Sequence, residues 1–183
     1  MRVSHRAPAA LPWYLRPFFW LQKRRWRQLL VPALTWARVP RYYFALIHFY
    51  SAIERKRSML EPLLRSFVQA RISQVEHCAF CIDLNSMLAA ERAGAIDKAL
   101  ALDGWRDSML FSARERLALE YAEAVGGGRV NDELAARVKA EFGEDAMVEL
   151  TGLAAFQIMS AKFNAALDIP AQGFCQLPER KTQ

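Results

Sequence analysis

The sequence predicts an all-α protein, a bundle of five or more helices. Apolar residues recur at intervals of three and four after residue 58, which is typical of amphipathic helices, and the alternation that marks β-strands is absent. Glycine and proline occur mainly at the breaks between apolar segments, where helices are expected to end. With 183 residues and 53% hydrophobic content, the chain can bury a core of ordinary size.

The first two helices of the predicted bundle follow residue 58. The first has an apolar stripe, formed by Leu63, Phe67, Ala70 and Val75. The second extends from Cys78 to roughly Arg92 and is closed by Gly94, because glycine readily adopts the left-handed conformation in which many helices end.

Three more helices complete the predicted bundle. The segment "SARERLALEYAEAV" opens with Ser112 three residues before Glu115, the pattern of a capping box, and ends at a run of glycines. Asn131 is expected to cap the next helix, which stops at Gly143. The last long helix runs from about Glu144 to Leu167, and one of its faces carries Val148, Gly152, Ala155, Met159 and Phe163.

Residues 1–57 differ in composition from the rest of the chain. They hold twelve of the 25 basic residues and one of the 19 acidic residues, Glu54, so their net charge is +11, against −5 for residues 58–183. The first 50 residues also hold 12 of the 21 aromatic residues. We therefore predict a basic, aromatic extension over residues 1–57, a main domain over residues 58–175 and a tail over residues 176–183.

The extension is expected to form two helices whose aromatic faces pack on the bundle or on a second subunit. An anionic membrane surface is a less favoured partner, and nucleic acid is not expected because no recognised binding motif accompanies the charge. Neither half of the extension supplies the roughly 20 uninterrupted apolar residues of a spanning helix. Three cysteines are too few for a secreted disulfide scaffold, and no cleavable signal is evident, so a cytoplasmic location is expected.

Two cysteines, Cys78 and Cys81, lie one helical turn apart in "VEHCAFCIDLNS". If they open a helix, its N-terminal amides and dipole favour the thiolate and create a nucleophile near neutral pH. Such a dithiol can attack a substrate with one sulfur and close a disulfide with the other. Two alternatives stay open: a pair of buried cysteines without a chemical role, and a zinc site, for which the chain offers few further ligands.

The segment "RISQVEHCAFCIDLNS" resembles the core motif of the carboxymuconolactone decarboxylase superfamily, specifically its alkyl hydroperoxidase D-like (AhpD-like) branch. The segments "AGAIDKALAL", "FSARERLALEYAEAV" and "FGEDAMVELTGLAAFQIMSAKFNAAL" look like the turn and helices that follow in that family. The resemblance covers about residues 58–170. The aromatic leader and the tail "DIPAQGFC" look like those of a longer subgroup.

This resemblance implies an AhpD-like helical bundle that assembles into a homo-oligomer. In the peroxidase branch the second cysteine attacks a hydroperoxide and the first closes the disulfide, which an external dithiol protein then reduces. Carried onto this chain, Cys81 is the attacking thiol and Cys78 the resolving one. The resemblance implies neither a cofactor nor a metal. The decarboxylase branch lacks the dithiol, so lactone decarboxylation is not expected.

Two positions depart from the family pattern. The family's proton relay places a histidine four residues after the second cysteine and a glutamate twelve residues before the first, and here those positions are Asn85 and Ser66. Asn85 can donate a hydrogen bond to the Cys81 sulfur or to a substrate oxygen, but it cannot take a proton. The best substitute base is His77, provided that the first turn is already helical and places it on the face of Cys81.

Three other polar residues are weaker candidates for the substitute base. Glu76 is expected to complement the helix start, Asp83 to contact another helix or solvent, and Glu149 to reach the site or form a surface ion pair. Cys175, at the end of "DIPAQGFC", is either a mobile thiol or a partner for exchange with the pair. Two functions follow: a thiol-dependent peroxidase, or a non-enzymatic oligomer of the same fold that acts as a redox sensor or interaction module.

Overall fold

The computed structural model of the chain describes residues 1–4, 10–94 and 96–175, and the predicted tail 176–183 lies outside them. Within these residues the chain forms nine α-helices, two short 3₁₀ turns and no β-strand, which confirms the all-α prediction. The helices are α1 (Arg16–Trp26), α2 (Val31–Trp36), α3 (Pro40–Ile53), α4 (Pro62–Val75), α5 (Ala79–Ala93), α6 (Ile96–Leu100), α7 (Ala113–Gly126), α8 (Asp132–Phe142) and α9 (Glu144–Ala166). The 3₁₀ turns are Trp13–Leu15 and Ala101–Gly104.

The predicted helix ends are confirmed where capping residues marked them. Ser112 and Glu115 form a reciprocal capping box at the start of α7. Asn131 accepts the backbone N–H of Leu134 at the start of α8. Gly94 ends α5 with a φ of 63°, a conformation that a residue with a Cβ atom adopts only at a steric cost.

Helix α4 lies at the centre of the bundle and packs against α5, α7 and α9. One side of α4 contributes Val68 and Ile72 to a core shared with α7, α8 and α9. The other side contributes Phe67 to a second core that includes residues of α5, α6 and α7. Because α4 is buried on both sides, it positions the start of α5, which follows it in the chain, relative to the rest of the bundle.

Helix α9 buries a different face from the one that carries the predicted stripe. Val148 is 71% exposed and Met159 43% exposed. The buried residues of α9 are Ala146, Leu150, Leu153, Ala154, Phe156, Gln157, Ala161 and Asn164. Helix α9 carries apolar residues on nearly all of its faces, so their spacing does not indicate which face enters the core.

Within its described residues, 1–4 and 10–57, the leader (residues 1–57) forms three helices and the 3₁₀ turn Trp13–Leu15 where two helices were predicted, and its helices pack on the bundle. The rings of Trp36 and Phe163 stack with centroids 3.7 Å apart, and Phe49 meets Phe156 at 5.1 Å. Near the end of α3, Glu54 forms an ion pair of 2.6 Å with Arg92 of α5. The leader is therefore joined to α5 and α9, the two helices that build the site described below.

The outer side of the leader exposes aromatic rings. We call this surface the leader face; its rings are Trp13, Tyr14, Phe18, Trp20, Tyr42 and Phe44, each at least 36% exposed. Such apolar patches on soluble proteins mark interaction surfaces. Among the described residues, no helix combines the length and apolar character that crossing a bilayer requires.

We expect the leader face to mediate a symmetric oligomer, because association removes its rings from water. In size-exclusion chromatography with light scattering, the mass should be a multiple of 20.9 kDa. Replacing both Tyr42 and Phe44 with Asp should release the monomer. Met109→Asp, at a side chain that is 92% exposed outside the leader, is the matched control and should leave the mass unchanged.

A monomeric wild-type protein would contradict this prediction. So would binding to anionic vesicles that is lost when Arg24, Arg25 and Arg27 are neutralised, since that result would assign the leader to a membrane surface.

Candidate active site

The turn between α4 and α5 fixes the position of the cysteine pair. The backbone N–H of His77 donates to the carbonyl of Gln74, and that of Cys78 donates to the carbonyl of Ser73, both at 3.1 Å. These are the two bonds of a Schellman motif, and His77 occupies its left-handed position with a φ of 50°. Cys78 then enters α5 in an extended conformation as its N-cap.

Both cysteines are almost fully buried, and their sulfurs are joined as a disulfide between Cα atoms 5.2 Å apart. The Cys78 sulfur accepts the backbone N–H of Cys81 at 3.3 Å, so it satisfies one of the amide donors of the first turn. In the dithiol form, the same amides and the dipole of α5 favour a thiolate at this end of the helix.

Asn164 of α9 provides a second donor to the pair. Its side-chain nitrogen donates to the Cys81 sulfur at 3.2 Å, and the residue is 1% exposed. The Asn164 Oδ1 atom is buried and makes no hydrogen bond within the described part of the chain. The amide can therefore stabilise a Cys81 thiolate through its N–H, and it has an acceptor available for a hydroxyl formed on that sulfur.

The Ser73 hydroxyl joins the three helices around the pair. It accepts the side-chain amide of Asn85 on α5 at 2.9 Å and that of Gln157 on α9 at 3.0 Å. It donates to the backbone carbonyl of Gln69 on α4 at 2.6 Å. All four residues are buried, so each of these polar groups depends on the others for its hydrogen bonds.

Cys81 borders a cavity of about 200 Å³, and Cys78 does not. The leader contributes one side of the cavity, with Gln22, Trp26, Leu30, Pro32, Ala33, Tyr43, Leu46, Ile47 and Tyr50. The bundle contributes the other side, with Gln69, Phe80, Cys81, Leu84, Asn85, Phe156, Gln157 and Ser160. None of these described residues is Asp, Glu, His, Lys or Arg, so the cavity is an apolar chamber with amide and hydroxyl groups near the sulfur.

Apart from the Cys81 thiol, the most acidic groups that line the cavity are the hydroxyls of two tyrosines of the leader. Burial raises the pKa of Tyr43 to about 12. Burial also raises the pKa of Tyr50 to about 12, with a further contribution from the negative charge of Glu54. Both hydroxyls are therefore protonated at neutral pH and are hydrogen-bond donors.

Asn85 and Ser66, the residues at the two relay positions, form hydrogen bonds with residues other than Cys81. Asn85 borders the cavity, but its amide donates to Ser73 and not to Cys81. The Ser66 hydroxyl accepts a hydrogen bond of 2.8 Å from Arg92, and Ser66 is not among the residues that line the cavity. Asn164 occupies the donor position at Cys81 that was expected for Asn85.

His77 does not share a helical face with Cys81. The expected alignment required a helical first turn, but His77 lies in the left-handed position before the N-cap, and its side chain is exposed and outside the cavity lining. Glu76 forms an ion pair of 2.6 Å with Lys162. Glu149 pairs with Arg55, outside the cavity.

The segment after α9 is attached to α5 through Asp83. This carboxylate accepts the backbone N–H groups of Gln172 and Cys175, both at 2.7 Å. Asp83 therefore contacts the segment after α9, and not another helix or solvent as expected. Cys175 is half-buried beside α5, and exchange between its thiol and the pair stays a prediction.

The sequence analysis did not identify Asn164, Ser73 or the tyrosines as site residues. Asn164 is the one polar residue in "FNAAL" at the end of α9, which is a usable signal. Ser73 lies inside the motif that carries the family resemblance, although a serine within a helix is common. The two tyrosines lie in the leader, and the spacing of residues does not indicate that the leader faces the cysteine pair.

Comparison with known proteins identifies the family. Residues 40–124 match the model of the carboxymuconolactone decarboxylase family. The uncharacterized protein YnjA of Escherichia coli (strain K12) is 48% identical over 174 residues, which cover 94% of this chain and 96% of YnjA. The chain therefore belongs to the carboxymuconolactone decarboxylase family. Its resemblance to a longer subgroup stays a prediction, as does a domain boundary near residue 57.

Two solved structures share the fold. One is an uncharacterized peroxidase-related protein from Ralstonia eutropha JMP134, described as an alkylhydroperoxidase AhpD core, with a TM-score of 0.83 and 16% identity over 93% of this chain and 92% of that chain. The debrominase Bmp8 has a TM-score of 0.81 and 20% identity over 94% and 92%. A cysteine-to-alanine variant of Bmp8 has been solved with 2,3,4-tribromopyrrole. The fold of this chain is AhpD-like.

We expect Ser73→Ala to lower the free energy of unfolding by about 1–3 kcal/mol, because the amides of Asn85 and Gln157 lose their shared acceptor while they stay buried. Urea denaturation followed by circular dichroism measures this change. The matched control is Ser51→Ala, whose hydroxyl donates to the carbonyl of His48 at an exposed position and should have little effect. Equal stability of the two variants would contradict a central role for Ser73.

Proposed function

We propose that this protein reduces organic hydroperoxides with its cysteine pair, with Cys81 as the attacking thiol and Cys78 as the resolving thiol. The observation that carries the proposal is that Cys81 borders the cavity whereas Cys78 is buried behind it. A substrate in the cavity therefore reaches one sulfur only. The AhpD-like fold and the membership of the family support the same chemistry.

The proposed cycle has three steps. The Cys81 thiolate attacks the terminal oxygen of a hydroperoxide, the O–O bond breaks, and with one added proton the products are a sulfenic acid on Cys81 and an alcohol. The Cys78 thiol then attacks the Cys81 sulfur, which forms the disulfide and releases water. An external protein dithiol reduces the disulfide, and its own two thiols become a disulfide.

The environment of Cys81 suits the first step. The Asn164 side chain, which donates to the Cys81 sulfur, and the dipole of α5 stabilise a Cys81 thiolate before attack, whereas the backbone N–H of Cys81 donates to the Cys78 sulfur. The Asn164 Oδ1 atom, which lacks a partner among the described residues, can then accept the hydroxyl of the sulfenic acid. The same side chain thus offers a donor to the thiolate and an acceptor to the sulfenic acid.

The cavity lining favours a neutral, apolar substrate. Aromatic and aliphatic side chains form most of its walls, and none of the described lining residues carries a charge at neutral pH. The hydrocarbon part of an organic hydroperoxide gains from burial there, whereas hydrogen peroxide has no apolar part to bury. An organic hydroperoxide is therefore the preferred oxidant.

Reductive dehalogenation of a halogenated aromatic ring is the second candidate. The same apolar, partly aromatic lining of the cavity favours it, and Bmp8, which shares the fold, is a debrominase. In this reaction the Cys81 thiolate would take the halogen as a sulfenyl halide while the ring carbon gains a proton. Cys78 would then displace halide ion and form the disulfide.

We expect purified wild-type protein to consume cumene hydroperoxide with dithiothreitol as reductant, and to consume hydrogen peroxide more slowly. Cys81→Ser should abolish turnover because it removes the attacking sulfur. Cys175→Ser is the matched control, since it removes a thiol outside the pair, and should retain turnover. Peroxide loss is followed with a ferrous iron–xylenol orange assay, and bromide release from 2,3,4-tribromopyrrole is measured in parallel.

Three outcomes would contradict the proposal in different ways. Turnover that survives Cys81→Ser would remove the pair from the mechanism. Bromide release without peroxide consumption would favour the second candidate. Neither reaction, in protein whose disulfide is fully reduced by dithiothreitol, would favour the non-enzymatic redox sensor or interaction module.

A further inference from the structure

The first step of the proposed cycle needs a proton that the family's relay positions do not supply. Attack of the thiolate on a hydroperoxide releases an alkoxide, which is strongly basic and leaves readily only if it is protonated. Asn85 and Ser66 stand where the family has a histidine and a glutamate, and His77 lies outside the cavity lining. The proton donor must therefore be sought among the groups that border the cavity.

Three lining residues have hydroxyl groups. The alcohol of Ser160 is about as weak an acid as water and gives no advantage over solvent. Tyr43 stacks on Phe19 with centroids 5.5 Å apart, and burial alone raises its pKa, so a tyrosinate formed there would gain no compensating charge. Tyr50 borders the same cavity as Cys81 and has three arginines near it, so it lies beside a substrate in the cavity and its anion is stabilised there.

We propose that the Tyr50 hydroxyl donates the proton to the leaving oxygen when Cys81 attacks a hydroperoxide. In this step the sulfur bonds to the terminal oxygen, the O–O bond breaks, and the departing oxygen takes the Tyr50 proton and leaves as an alcohol. The proton on the terminal oxygen stays there, which gives the sulfenic acid. A proton from solvent then restores the Tyr50 hydroxyl. This inference rests on the proposed peroxidase function.

The charges around Tyr50 fit a donor that is protonated at rest and is anionic only briefly. Glu54 lies four residues later in the chain, and burial together with this carboxylate keeps the pKa of Tyr50 near 12. Arg25, Arg65 and Arg92 act in the opposite direction and stabilise the tyrosinate once it forms. Tyr50 is therefore fully protonated at neutral pH, yet its conjugate base forms among three positive charges.

Arg92 fixes Tyr50 relative to the bundle. Its guanidinium donates to Glu54 Oε2 at 2.6 Å and to Ser66 Oγ at 2.8 Å, so it ties the end of α3 to α4 and α5. The relay position that holds Ser66 is thus joined through Arg92 to a carboxylate from the leader. Arg92 and Glu54 are positioning residues, because they act on the substrate only through Tyr50.

The test compares two oxidants that differ in their leaving group. Reduced protein is mixed with tert-butyl hydroperoxide, which releases an alkoxide, or with peracetic acid, which releases a weakly basic carboxylate that needs no protonation. The rate of Cys81 oxidation is measured by quenched flow, alkylation and mass spectrometry. Tyr50→Phe should slow the reaction with tert-butyl hydroperoxide on the order of 10²-fold and change that with peracetic acid little.

Tyr121→Phe is the matched control, because Tyr121 bonds to Thr151 and does not border the cavity; it should react with both oxidants at the wild-type rate. A purely structural effect of Tyr50→Phe would slow both oxidants equally, and that result would overturn the inference. So would an unchanged rate, or a selective loss in Tyr43→Phe instead.

The two proposals fail in distinguishable ways. If neither oxidant reacts with Cys81 of the wild-type protein, the peroxidase function fails. If both oxidants react with Cys81 and Tyr50→Phe shows no selective loss, the peroxidase function stands and the role of Tyr50 is refuted.

Discussion

The hydrogen bonds of one buried hydroxyl, that of Ser73, hold together the three helices that build the site. Amides from α5 and α9 donate to it, and it donates to a carbonyl of α4. A relative shift of these helices would leave a polar group unpaired in the interior, which costs about 1–3 kcal/mol for each group. The contacts of Ser73 therefore fix the start of α5 relative to α9, and with it the short distance between Cys81 and Asn164.

The leader completes the site as well as extending the bundle. Its helices supply about half of the residues that border the cavity, including Trp26 and Tyr50. Without them the Cys81 end of the cavity would be open to water, and the tyrosine hydroxyls would be missing. The exposed aromatic rings on the other side of the same helices leave a second surface for association. The leader thus contributes both to the proposed chemistry and to the predicted assembly.

The sequence predicted what local rules determine and did not predict what depends on packing. Residue type and spacing predict the end of α5 at Gly94, the start of α8 after Asn131 and the chemistry of Cys78 and Cys81. The buried face of α9 could not be predicted, because that helix is apolar all round. The helical first turn on which the alignment of His77 with Cys81 depended is absent, because the left-handed backbone of His77 depends on how α4 ends.

The central claim is that Cys81 is the sulfur that reacts with peroxide. Trapping its sulfenic acid tests this directly: Cys78→Ser protein, which lacks the resolving thiol, is reduced, treated with one equivalent of cumene hydroperoxide and labelled with dimedone. We predict a dimedone adduct at Cys81, and in wild-type protein a disulfide between Cys78 and Cys81 in place of the adduct. An adduct confined to Cys175, or an unlabelled Cys81 with the hydroperoxide unconsumed, would contradict the claim.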